Sequence, residues 1–83
     1  MDITNIEYHL EFYADDSTQI AQYGNMAAPI IPPRVGDQVH FHNHGITLKI
    51  IRVVHEFVVR FADEPSRHTL SHVIKVYGNK APL

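Results

Sequence analysis

The sequence predicts a small, mainly β domain: an antiparallel sheet of four to five strands rolled into an open barrel, with at most one short helical turn. Three observations carry this. In "IEYHLEFY" (6–13) apolar and polar residues alternate with a period of two, the signature of a half-buried strand. β-Branched residues dominate the second half of the chain, and no window sustains the 3.6-residue period of a helix. The apolar runs are separated by stretches rich in Gly, Pro, Asn and Asp, which favour turns.

The first strand sends Ile6, Tyr8, Leu10 and Phe12 to one face, and Glu7, His9, Glu11 and Tyr13 to the other. In "ADDSTQIAQYGN" the spacing predicts a single helical turn, capped by Asp16 or Ser17 and ended by Gly24. The segment "MAAPIIPPR", with prolines at 29, 32 and 33, is expected to be an extended connector or sheet edge, since proline donates no backbone hydrogen bond. Its Met26, Ile30 and Ile31 need cover, from the core or from a partner. A turn at Gly36-Asp37 opens the second strand, where Val39 and Phe41 face away from His40 and His42. "NHG" (43–45) is expected to be a tight hairpin, because Asn and Gly tolerate positive φ. "ITLKIIRVVHEFVVRF" (46–61) is a long third strand, apolar on both faces, with a bulge where Ile51 and Arg52 break the phase. "ADEPSRH" is expected to be a loop and "TLSHVIKVY" the fourth strand. Strands of this number and length suit an SH3-like or OB-like shape, a comparison of architecture that carries no activity.

The chain has 83 residues, 45% apolar and 19% charged, enough for one domain over 1–83. A domain this small buries only about 60% of its unfolded surface. Without cysteine, no disulfide or thiolate metal site braces it. No basic, apolar leader stands at the N-terminus, and no run approaches the roughly 18 apolar residues of a membrane span, so a cytoplasmic protein is expected.

The net charge of -2 hides an asymmetry: residues 1–33 hold five acids and no Lys or Arg, while residues 34–83 hold all seven basic residues. The simplest expectation is an acidic strand lying beside a basic one, the charges neutralising across the ladder.

Three of the seven histidines fall in "HFHNHG". His40 and His42 have the spacing of a zinc half-site, with His72, His55 or His9 a candidate third ligand. The pair resembles the HxH ligand pair of cupins, but the spaced glutamate that follows it there is missing here. The competing expectation is a polar strand face that responds to pH. No nucleophile elbow, phosphate loop or paired catalytic acids appear, so neither an enzyme nor a cofactor is expected. Lys49, Arg52, Arg60 and Lys75, interleaved with Phe57, Phe61 and Tyr77, could line a nucleic-acid groove, but the acidic first strand opposes the positive field that phosphate contacts need. The expected function is therefore a protein-interaction module, a homodimeric accessory, inhibitory or regulatory protein. Its expected contact residues are Met26, Ile30, Ile31, Ile51, Val53, Phe57 and Val59, more apolar surface than one thin layer covers.

Overall fold

The computed structural model describes residues 5–26, 28–60 and 68–83, and only the backbone of Asn25 and Met26. Five strands form one sheet: β1 (Asn5–Ala14), β2 (Gln19–Met26), β3 (Gln38–Phe41), β4 (Ile46–Arg60) and β5 (Thr69–Pro82). Their order is β2-β1-β5-β4-β3. The mainly β class is what the sequence predicts, and among the described residues a 3₁₀ turn stands at His42–His44. The pairing differs in one place. Three of the four ladders are antiparallel, but β1 runs parallel to β5 over its whole length, Asn5 opposite Thr69 to Ala14 opposite Gly78.

The sheet curls. Phe12 on β1 meets Phe41 on β3 with ring centroids 5.1 Å apart, although β5 and β4 lie between those strands in the sheet. The concave face thereby encloses Phe12, Leu48, Ile50, Ile74 and Val76, with Leu10, Ile20, Ala21, Val39, Phe41 and Val53 packed around them. Burying side chains of this size stabilises a fold by about 1.5–3 kcal/mol each. The connector that follows β2 crosses to the opposite edge, where β3 begins, and lays Ile30 against this core.

The expected helical turn after the first strand is instead β2. Asp16 Oδ1 accepts the Thr18 amide and Ser17 stands at φ 66°, so the acid shapes a reversal where a helix cap was expected. The chain then returns along β1, with Ala21 opposite Phe12 and Tyr23 opposite Leu10. Tertiary packing of those two side chains outweighs a weak local helix signal.

Other turns and breaks fall where the sequence puts them. Gly45 closes the β3–β4 hairpin in the left-handed region at φ 65°. The register of β4 on β5 slips between Ile50 and Arg52, the expected bulge. Gly78 sits opposite Ile50 at that bulge, where a Cβ would lie 2.6 Å from both Leu48 Cγ and the Lys49 carbonyl oxygen. Of the expected loop, only His68 lies within the described residues, and Phe61 falls outside them.

Candidate functional site

β4 is the strand on which the site is built. Its first part, 46–49, is paired on both sides, to β3 and to β5. The pairing with the β3 side ends at Ile50, whose amide donates to the Asp37 carbonyl at 2.9 Å and whose carbonyl accepts the Gly36 amide at 2.8 Å. From Arg52 to Arg60, β4 pairs with β5 alone, and among the described residues nothing pairs with its other edge. Such an edge presents unpaired N–H and C=O groups to a further strand.

The registers also fix which side chains share the concave face. Val53, His55, Phe57 and Val59 of β4 lie beside Val76, Ile74, His72 and Leu70 of β5, and these beside Phe12, Leu10, Tyr8 and Ile6 of β1. The first members of each row enter the core. The last members form a mostly apolar floor that β3 does not flank and that β2 meets only at its rim, where Met26 pairs with Tyr8. On it Phe57 is 63% exposed and Ile6 49% exposed, with Tyr8, Leu70, His72 and Val59 half-buried. Phe57 lies flat against His72 at 4.5 Å, and Tyr8 meets the same ring edge-on at 6.0 Å. His55 Nδ1 and His72 Nε2 are hydrogen-bonded at 2.9 Å. Their ring centroids are 5.2 Å apart, about one ring radius at each end beyond that contact, so the two imidazoles meet edge to edge.

The expected contact residues therefore divide. Phe57 and Val59 lie on the open floor, and Ile51 is exposed at the bulge. Val53 and Ile30 pack on the core and are spent there. Ile31 is 94% exposed on the connector. Of Met26 the structure gives the backbone, opposite Tyr8. Sequence reasoning missed Ile6, Tyr8, Leu70 and the His55–His72 pair. Their signal was the period-two alternation in both strands, but only the parallel β1–β5 register puts them on one floor.

The convex face carries the charged side chains of β1, β4 and β5, which neutralise one another around Val54, Val58 and Val73. Glu11 lies opposite Lys75, and Lys75 Nζ is 3.3 Å from Glu56. The hydrogen bond and charge of Glu56, with the Glu11 charge, hold the lysine above its usual range. Tyr13 stacks on Tyr77 at 5.1 Å, and the Arg52 guanidinium covers the Tyr77 ring at 4.1 Å. The acidic strand does lie beside a basic one. Arg60 and Lys49 are exposed on the same face as Lys75 and Arg52, with Glu7, Glu11 and Glu56 between them.

The expected zinc set does not assemble. β3 ends at Phe41, so His42 leaves the strand for the 3₁₀ turn and no longer shares a strand face with His40. His40 Nδ1 hydrogen-bonds Thr47 Oγ1 at 2.8 Å. Thr47 pairs with Ala81, and His72 lies nine residues further along β5, about 30 Å away at the usual rise per residue. Among the described residues no three His, Asp, Glu or Cys side chains converge on a metal position. His40, His42 and His44 instead join Phe41, Asn43, Ala21 and Tyr23 around a shallow cavity of about 290 Å³, where the curled sheet brings β2 close to the end of β3. No helix among the described residues is long and apolar enough to cross a membrane.

The chain matches no family model, no curated protein and no solved structure.

Proposed function

We propose that this chain is a non-enzymatic protein-interaction module that works as a homodimer and serves as an accessory or regulatory protein toward a larger partner. The observation that carries the reading is the half-covered concave face. The row of apolar side chains continues past the core, and its last members, Phe57 above all, stand in solvent. Exposed, contiguous apolar surface beside a free strand edge is the usual mark of a docking surface.

A nucleic-acid reading takes second place. The Tyr13–Tyr77–Arg52 stack favours it, since bases stack on such surfaces. The carboxylates of Glu7, Glu11 and Glu56 on that face oppose it, because each weakens the field that draws phosphate.

Light scattering at micromolar concentration tests the main reading: at least a dimer is expected, and Phe57→Ser should shift the population toward monomer. A chain that stays monomeric throughout overturns it. Tight oligonucleotide binding that falls steeply with salt would put the second reading first.

A further inference from the structure

We infer that a second copy of this chain pairs with the open edge of β4, antiparallel about a two-fold axis at Glu56. The inference deepens the proposed homodimer and rests on that reading. Two independent observations point to the same register.

The first is where the edge is free. β3 and the turn before it occupy the β4 edge as far as Ile50, through the Gly36 and Asp37 backbone bonds. Among the described residues the free stretch is thus 52–60, and its midpoint is Glu56. A two-fold axis at Glu56 lets all nine positions pair. Moving the axis to Val54 would drive residues 58–60 of the second copy into the Gly36-Asp37 turn. Moving it to Val58 would leave fewer of the positions 52–60 opposite one another.

The second is what the edge carries. Residues 52–60 read Arg-Val-Val-His-Glu-Phe-Val-Val-Arg, the same in both directions except that His55 exchanges with Phe57. A strand that pairs antiparallel with its own copy meets its own sequence reversed. Here Val53 meets the second copy's Val59, Val54 meets Val58, and His55 meets Phe57. Apolar and aromatic pairs then occupy six of the nine positions. The remaining three place like charges opposite each other: Arg52 and Arg60 at the two ends, and Glu56 on the axis. Like and unlike cross-strand pairs are similar in size, so the count decides for pairing. Each Glu56 also keeps its own Lys75 at 3.3 Å, which offsets the repulsion on the axis.

In this register the two concave faces lie on the same side, because an axis normal to the sheet preserves its faces. The two open floors become neighbours, with His55 and Phe57 of one copy beside Phe57 and His55 of the other.

The absence of native cysteine makes the test clean. Glu56→Cys, Val54→Cys and Val58→Cys are made singly in the full chain and oxidised mildly. Residue 56 opposite itself has a Cα separation of about 4.5–5.5 Å, inside disulfide range. Val54 lies four residues from the second copy's Val54, about 13 Å, and cannot bridge. Glu56→Cys should therefore cross-link at least tenfold faster than either valine variant alone. A mixture of Val54→Cys and Val58→Cys should give the mixed disulfide. Cross-linking of Val54→Cys or Val58→Cys to itself, or equal rates at all three positions, overturns the register. If the unmodified chain scatters as a dimer and no position cross-links, edge pairing fails while the homodimer stands. A monomer at all concentrations removes both.

Discussion

The two halves of the concave face are made by the same three strands, yet they end in opposite states. In one half Leu48, Ile50, Ile74 and Val76 are at most 1% exposed. In the other, Ile6 and Phe57 of the same rows are about half to two-thirds in solvent. The difference is not hydrophobicity, since both halves are apolar. It lies in the lengths of the flanking strands. β4 and β5 have 15 and 14 residues, while β3 has only 4 and β2 pairs with β1 only from Tyr8 onward. The short strands curl one end of the sheet into a core and leave the other as a floor. A principal extent of 48 Å against 22 and 21 Å is the same fact seen from outside.

The largest expected effect belongs to the covered half. Leu48 is fully buried among Ile50, Phe12 and Val76, and truncating it leaves a cavity that a rigid sheet cannot fill. Leu48→Ala should destabilise the fold by about 2–5 kcal/mol in a urea melt. A loss below about 1 kcal/mol would mean that the covered half is no better packed than the floor.

Gly78 tests how tightly the two halves join. It marks the bulge at which the phase of β4 changes, and any side chain there meets the backbone of Lys49. Backbone cannot swing away as the end of a side chain can, so Gly78→Ala should cost about 1–3 kcal/mol. Gly24 offers the contrast: its Cβ would meet only the ring of His9, the nearest atom at 2.8 Å, and a side chain can turn aside. Gly24→Ala should be well tolerated, within about 0.5 kcal/mol.

Much of this division was legible in residues 46–60. The long apolar run predicted one strand, and the broken phase at Ile51-Arg52 predicted the bulge. Its two-sided character predicted apolar surface that the sheet leaves uncovered, as at Phe57, Val58 and Ile51. The floor itself was not legible, because it depends on a parallel pairing between the first and last strands, and non-local register leaves no local trace. β2 was misread for a different reason. Among its described side chains Ile20 and Ala21 pack on the core, too few to outvote an Asp-Asp-Ser cap signal. The histidine run misled because strand spacing was carried one residue too far. β3 stops at Phe41, and from there a 3₁₀ turn sets the direction of each imidazole. His55 and His72, seventeen residues apart, become neighbours only through the β4–β5 register.

On the floor, truncation should separate stability from association. Phe57 gains little from the monomer, resting on His72 with most of its ring in solvent. Phe57→Ala should change the unfolding free energy by no more than about 1 kcal/mol while weakening self-association at least tenfold. Equal losses in both would mean that the floor is closed in the monomer.

The smallest effect concerns the convex face behind the core, which the two halves share. Tyr13 donates its hydroxyl to Glu11, and this bond, with slight burial and the charge of Glu11, pushes the phenol up to about 12. The folded state thus holds the proton more tightly than the unfolded chain, in which a tyrosine titrates near 10. The sign follows from linkage: the stabilisation is fully present below pH 10 and is lost as pH climbs to about 12. The phenol is only partly buried, so the size is small, and only a difference isolates it from the other tyrosines and the lysines. The gap in urea midpoint between the wild type and Tyr13→Phe should favour the wild type at pH 9 and close as the phenol ionises. A gap that is unchanged at the alkaline end would show that Tyr13 contributes through its stack on Tyr77, which phenylalanine keeps in part, and owes nothing to Glu11.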